Sequence, residues 1–307
     1  MSEEKRRLPV IQSEKDSPQR PIFDKVGVIG LGLIGGSLAL AVRQTWPTSL
    51  VIGVDDKEVL EKAMILHAID VASHDPVVLA EADLVVLAAP VRENIRLLKE
   101  LPNHVKGSAI VTDVSSTKRM IVDAANTLPS RLIFVGGHPL GGAPRAGIEF
   151  ARADLFKGRP WLFTPTDRIS AAVLDRLFEF VKALGANSHV IEATEHDRLL
   201  AFISHLPQLT ASTLMHVVGS AAGVNGLALA GRGLSDATRL ASSPVDIWND
   251  ICATNSDFVN CALNDLICEL QLLRDDLSSD KAISRIFSSA GTWRSKLSQM
   301  RQDSVKG

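Results

Sequence analysis

Residues 27–37 read Gly27-Val28-Ile29-Gly30-Leu31-Gly32-Leu33-Ile34-Gly35-Gly36-Ser37, an apolar run broken by a glycine-rich turn and resumed in helix-forming residues. Between a strand and a helix such a turn has a physical use. Gly30 permits the tight reversal, Gly32 lets a ligand approach the backbone, and Gly35 lets the helix lie close on the strand. The helix, expected over Ile34–Arg43, presents unpaired N–H groups where a pyrophosphate is stabilised. Gly30, Gly32, Leu33, Ile34 and Gly35 are therefore candidate dinucleotide contacts. That spacing is weak evidence by itself, and a glycine-rich turn in an unrelated α/β domain is the plainer alternative. The next strand strengthens it by ending in Val54-Asp55, about 20 residues past the third glycine, where a carboxylate binds the ribose hydroxyls. Asp56 follows, and Lys57 comes only after it, so no cation stands where a 2′-phosphate needs one. NAD is favoured over NADP.

Outward from this turn, short β-branched runs alternate with amphipathic stretches. The expected strands are Val26–Ile29, Leu50–Val54, Leu84–Leu87, Ala109–Thr112, Leu132–Val135, Trp161–Phe163 and His189–Ile191, with helices over Glu58–His67, Asn94–Leu101 and Ser170–Leu184. Alternation of this kind predicts a largely parallel sheet covered on both faces. After Thr194 the strands stop and the chain reads as helical. The expected fold is an α/β Rossmann-type nucleotide-binding domain over residues 22–193, followed by an all-α domain over 194–307, with a disordered tail over 1–21. Ser243-Pro244 reads as an N-cap followed by proline at the first helical position. From Ser256, Val259, Leu263, Leu266, Leu270, Leu273 and Leu277 recur at spacings of 4 and 3, a seam that suits either a core stripe or a helix pair between subunits.

Composition removes several classes of function. A net charge of −2 with 33 Lys and Arg against 35 Asp and Glu leaves no excess of cations for a nucleic-acid or anionic-membrane surface. No apolar run reaches about 18 residues, so no membrane span is expected. The first twenty residues lack the apolar segment of a signal peptide, and the cytoplasm is the simplest compartment. Cys252, Cys261 and Cys268 are odd in number and form no CxxC pair, so buried small hydrophobes are expected rather than disulfides or a metal site.

Three polar clusters and one turn follow the strands or the later helices. Ala88-Ala89-Pro90-Val91 lies where a doubly wound sheet presents loops to a cofactor, making Ala89 and Pro90 candidate contacts, although a simple turn reads equally well. Thr112-Asp113-Val114-Ser115-Ser116-Thr117-Lys118 follows a strand, and a serine N-cap is its plain reading. His138 lies within Gly136-Gly137-His138-Pro139, where an imidazole can act as general base because its pKa lies near operating pH. Ser204-His205-Leu206-Pro207-Gln208 follows Glu195-His196-Asp197. On a regular helix, positions 196 and 205 point to opposite sides and cannot share a metal. Ser204 and Gln208 share a face.

In combination, Gly30–Gly35, Asp113–Lys118, Gly136–Leu140, Ser204–Pro207 and Leu234–Trp248 (LSDATRLASSPVDIW) resemble the prephenate and arogenate dehydrogenases of tyrosine biosynthesis, in order and spacing. The resemblance implies NAD-dependent oxidative decarboxylation of a cyclohexadienyl ring, and a homodimer formed through the helical domain. It assigns proton acceptance from the C4 hydroxyl to His138 and a hydrogen bond beside it to Ser116. Arg239 would hold the side-chain carboxylate, and Ser204 would line the same pocket. No metal is implied. The chain departs from the family pattern at Ala143-Pro144, where many members carry Thr-Glu, and at Gln208, where a histidine is common. A neutral amide at 208 still hydrogen-bonds but carries no charge, which favours arogenate or use of both substrates. A β-hydroxyacid-type dehydrogenase is the competing enzyme, but residues 194–260 contain no lysine to act as its catalytic group. A non-catalytic NAD-binding sensor is the competing non-enzyme.

Overall fold

The computed structural model describes residues 20–141 and 147–306. The predicted tail and the divergent Ala143-Pro144 lie outside them, apart from the last residues before Ile22.

The strands are β1 (Lys25–Ile29), β2 (Leu50–Val54), β3 (Val71–Ser73), β4 (Leu84–Leu87), β5 (Ala109–Asp113), β6 (Leu132–Pro139), β7 (Pro160–Thr164) and β8 (Asn187–Val190). They form one sheet in the order β3-β2-β1-β4-β5-β6-β7-β8. Every pairing is parallel except β6 with β7, in which Gly137 faces Phe163 and His138 faces Leu162. The sequence reading missed β3, a three-residue edge strand too short to carry a periodic signal. Between the strands run α1 (Leu33–Thr45), α2 (Lys57–Ile65), α3 (Val91–His104), α4 (Arg119–Ala125) and α5 (Ala171–Ala183). Val26, Val28, Leu38, Val42, Val51 and Trp161 pack into the core on one sheet face, and Val85, Leu87, Leu98 and Val111 on the other. Burial on both faces accounts for the unbroken apolar strands.

From β1 the sheet is built outward to β3 on one side, and from β4 outward to β8 on the other, so the order reverses between β1 and β4. That switch point opens a cleft at the carboxyl ends of the strands. Gly30 reverses the chain there with φ +91°. A Cβ on it would stand 2.6 Å from the backbone of Ala88 and Ala89. On Gly35 a Cβ would overlap the carbonyl oxygen of Gly30.

Helices make up the rest: α6 (Ala193–Leu200), α7 (Leu206–Leu227), α8 (Arg232–Ala237), α9 (Val245–Thr254), α10 (Ser256–Asp275) and α11 (Asp280–Lys306). A π-helical turn, Ala201–His205, joins α6 to α7. Pro207 has no N–H to continue the ladder, and the widened turn changes the register in which His205 follows His196. Two expectations are corrected here. The helix at 245 takes Pro244 as its cap residue, while the Ser243 hydroxyl donates to Gln208 and to the Leu240 carbonyl instead. Cys261 and Cys268 are exposed and Cys252 is half-buried, because they fall off the face of their helices that meets the core. Along the predicted seam Val259 is buried but Leu270 is 54% exposed, and Leu277 lies beyond the end of α10. The exposed apolar surface continues through Ile267, Leu272, Phe287 and Trp293. Among the described residues no helix is long and apolar enough to cross a membrane.

Because the atom facing Gly35 is backbone, it cannot move aside cheaply. Gly35→Ala is expected to cost about 1–3 kcal/mol of stability, read as a lower thermal midpoint by circular dichroism. An unchanged midpoint would show that helix α1 does not need its present approach to β1.

Candidate active site

The cleft holds a cavity of about 360 Å³ lined by Gly32, Leu33 and Ile34 after β1, by Ala88–Val91 after β4, and by Val114–Ser116 after β5. The helical unit closes it with Ile247, Asp250 and Ile251 of α9. The sequence-predicted Leu33, Ile34, Ala89, Pro90 and Ser116 thus meet in one space. Asp55 stands at the end of β2 beside the glycine turn, and its carboxylate accepts from Leu31 N at 2.5 Å and from Asp56 N at 2.7 Å. The loop at 88–91 is fixed by Asn94, which is fully buried. Its Nδ2 donates to Ala89 O at 2.8 Å and to Ser115 Oγ at 3.0 Å, while its Oδ1 accepts from Ala89 N at 3.2 Å. One side chain therefore ties the loop after β4 to the loop after β5.

Deeper in, Asp113 and Lys118 form an ion pair with no solvent exposure at either side chain. Lys118 Nζ also donates to Gly137 O at 2.6 Å, and Asp113 Oδ1 accepts from Gly137 N at 2.9 Å. The pair grips both backbone groups of the residue before His138. Burial pushes the Lys118 ammonium below the ordinary lysine value, against the pull of Asp113. A Cβ on Gly137 would sit 2.5 Å from Asp113 O, so glycine is required for this approach.

His138 is half-buried near the carboxyl end of β6, and its Nδ1 lies 2.9 Å from His196 Nε2. His196 Nδ1 lies 2.9 Å from Asp197 Oδ1. Burial, reinforced by His196, Lys118 and His205, pushes the His138 imidazole well below the usual 6.5. Burial also lowers His196, although Asp197 opposes it. For Asp197 burial acts upward, but hydrogen bonds from His196, Arg119 and Lys118 together hold it below the ordinary carboxylate value. Asp197 Oδ1 accepts from Lys118 N at 2.7 Å and Oδ2 from Arg119 N at 3.0 Å. Arg119 in turn pairs with Asp257 and lies over the Phe258 ring, 4.4 Å from its centroid.

The predicted residues of the helical unit are placed differently from these. Ser204 sits half-buried in the π-helical turn, and Arg239 is exposed on the single turn Arg239–Ser242. Neither lines the cavity. Gln208, expected to touch substrate, is buried with both ends of its amide engaged. Nε2 donates to Leu240 O at 2.7 Å and Oε1 accepts from Ser243 Oγ at 3.0 Å. It therefore holds the turn that carries Arg239. His205 is buried with its ring edge-on to Trp248, centroids 6.0 Å apart, and burial lowers its pKa to about 4. His196, which the sequence reading weighed only as a metal ligand together with His205, is in direct contact with His138. Asn94, Lys118 and Asp197 were not singled out as site residues. Asp197 beside a histidine at the start of the helical unit was the available signal. Among the described residues no group of three or more His, Cys, Asp or Glu is arranged to hold a metal.

Residues 38–190 match the family model described as prephenate dehydrogenase, nucleotide-binding domain, and residues 192–287 match prephenate dehydrogenase, dimerization domain. The prephenate dehydrogenase of Bacillus subtilis is 34% identical over 284 residues, spanning 89% of this chain and 76% of that protein. Among solved structures, Synechocystis arogenate dehydrogenase is 30% identical with a TM-score of 0.75, covering 89% of this chain and 99% of that one. Prephenate dehydrogenase from A. aeolicus, solved with hydroxyphenyl propionate and NAD+, is 26% identical with a TM-score of 0.82, covering 89% and 98%.

The buried pair at 113 and 118 makes a prediction of its own. Lys118→Met leaves the Asp113 carboxylate buried without its counterion and is expected to cost about 3–5 kcal/mol. Adding Asp113→Asn should recover part of that loss in urea unfolding. A double variant less stable than the single would mean that the pair is held by something other than mutual charge.

Proposed function

The chain belongs to the prephenate dehydrogenase family, and on that footing we propose that it catalyses NAD-dependent oxidative decarboxylation of a cyclohexadienyl substrate, prephenate or arogenate, to 4-hydroxyphenylpyruvate or tyrosine. The observation that carries this reading is His138, an imidazole kept neutral by its surroundings, on the strand that neighbours β5, whose following loop lines the cleft.

The cleft fits a dinucleotide. Among the described residues, none places an atom within 4 Å of where a Gly32 Cβ would stand, which leaves the start of α1 open to them. No side chain caps α1 and no acidic residue occupies its first turn, so the Gly32–Gly35 backbone is suited to hold the pyrophosphate. Asp55 would hold the ribose hydroxyls, and Ala89 and Pro90 would border the cofactor opposite. When bound, NAD supplies the acceptor for the hydride that leaves C4 of the ring.

The remaining tasks fall to this chain. His138 accepts the proton of the C4 hydroxyl. As the ring carboxylate leaves as carbon dioxide, its bonding pair enters the ring, and His138 returns the proton to the phenolate so formed. Ser116 hydrogen-bonds beside that hydroxyl. Arg239 is assigned the side-chain carboxylate, a task suited to a planar bidentate donor, with Gln208 supporting its turn. With both ends of the Gln208 amide engaged inside the helical unit, carboxylate recognition rests on Arg239, and discrimination between a keto and an amino side chain is not supplied by position 208. The exposed apolar surface of α10 and α11 pairs with a second copy of the chain, giving a homodimer.

The direct test is NADH formation from prephenate and from arogenate, each with NAD and with NADP. Turnover of at least one substrate with NAD is expected, and none with either would defeat the reading. His138→Asn should lower kcat by roughly 10²–10⁴ with the Michaelis constant for NAD nearly unchanged. The pH profile carries a sign. His138 works unprotonated and its pKa is depressed, so kcat/KM should hold as pH falls through 6.5 and decline only at more acidic values. An acid limb above 6.5 would contradict the site's electrostatics. Asp55→Ala should raise the Michaelis constant for NAD far more than that for NADP, and equal changes would remove Asp55 from the ribose.

A further inference from the structure

The contact between His138 and His196 has a direction, and Asp197 sets it. A carboxylate only accepts hydrogen bonds, so the His196 nitrogen facing Asp197 Oδ1, Nδ1, must carry a proton. His196 is neutral, being buried and displaced below its ordinary pKa, so its Nε2 is a bare lone pair. That lone pair lies 2.9 Å from His138 Nδ1, which must therefore be the donor. A neutral imidazole has one N–H. With it on Nδ1, His138 Nε2 is left as a lone pair free to accept a proton.

The rest of the surroundings keep this direction from reversing. Asp197 cannot turn away or take up a proton cheaply, because Lys118 N, Arg119 N and Arg119 Nε already donate to it from the other side. Asn255 Nδ2 donates to Asp197 O at 2.8 Å, which fixes the same residue's backbone. The charged and titratable groups facing the two rings are Lys118 and Asp113 from the segment after β5, Arg119 from α4, and His205 from the π-helical turn. An imidazole without such a partner favours the Nε2–H form, which would occupy the lone pair the reaction needs.

We propose that His196 and Asp197 are positioning residues that hold His138 as its Nδ1–H tautomer, which leaves Nε2 as the lone pair that accepts the substrate proton. This rests on the reading of His138 as proton acceptor given above. When Nε2 takes the proton, Nδ1–H still donates to His196 and no second proton needs to move. The arrangement follows the logic by which a buried aspartate orients a catalytic histidine in hydrolytic triads, with one further imidazole interposed and the two halves contributed by different domains.

The experiment begins with the full-length protein labelled with ¹⁵N-histidine, in which ring ¹⁵N shifts and long-range ¹H couplings report each tautomer, with His138 assigned by comparison with His138→Asn. His138 is expected as Nδ1–H with a bare Nε2; an Nε2–H form in the wild type overturns the proposal whatever the kinetics. Substitution then tests the consequence. His196→Leu should lower kcat roughly tenfold or more with the Michaelis constant for NAD unchanged, and shift His138 toward Nε2–H. His196→Gln, whose amide oxygen reaches the place of Nε2 and can accept from His138 Nδ1, should regain most of the lost turnover. Full activity in His196→Leu, or equal loss in the leucine and glutamine variants, contradicts the positioning role. A wild type that turns over neither substrate would defeat the functional reading while leaving the tautomer measurement to decide the geometry.

Discussion

One buried carboxylate organises the meeting of the two domains. Asp197 has no solvent-exposed side chain, yet it accepts hydrogen bonds from the Lys118 and Arg119 backbone, from the Arg119 side chain and from His196. An ionised group in such a place is tolerated only when its lone pairs are filled, and removing a partner leaves the full desolvation penalty. The start of α4 and the start of α6 are therefore committed to each other. Everything nearby inherits that commitment, including the direction of the His138–His196 contact, the lie of Arg119 between Asp197 and Asp257, and the seating of Asn255 against both Asp197 and His205.

The sheet supplies a second constraint, which acts on the opposite side of His138. Gly137 is gripped through both its N–H and its C=O by the Asp113–Lys118 pair. The imidazole is thus held from behind by a strand whose register is fixed and from the side by a helix of the other domain. The role proposed for His138 calls for such pre-organisation, because misplacement by about 1 Å can cost two orders of magnitude in rate. The cofactor side is prepared by simpler means. Glycines allow backbone to meet backbone, and Asn94 ties the loops after β4 and β5 so that the cleft wall is already formed. Arg92 of α3 pairs with Asp250 of α9 across the same opening, which brings the helical unit over the cleft.

Much of this was legible in the sequence, and the division follows a physical line. The glycine turn, the acidic end of β2 and His138 at a strand's end were readable because each depends on the local chain: a φ value, a strand period, a residue at a carboxyl end. The parallel sheet followed from unbroken apolar strands. Lys118 and Asp197 were not readable as site residues, because distant contacts place them: Lys118 Nζ reaches Gly137 O, 19 positions on, and Asp197 Oδ1 accepts from Lys118 N, 79 positions back. His196 was placed on a regular helix, and the π-helical turn at Ala201–His205 departs from the geometry used to relate it to His205. Gln208 was expected to touch substrate, and its amide bonds within the helical unit. Its amide looked available in the sequence, and only the fold shows that Leu240 and Ser243 already occupy it.

The central claim is that the two domains together aim His138 Nε2 at the oxygen of a ring lying against the cofactor. The most direct measurement is a crystal structure of this protein with NAD and a 4-hydroxyphenyl product bound. The predicted result is a phenolic oxygen within about 3 Å of His138 Nε2, the side-chain carboxylate on Arg239, and the His138–His196–Asp197 contacts unchanged. A phenolic oxygen held by other groups, with His138 Nε2 directed away from the ring, would contradict it.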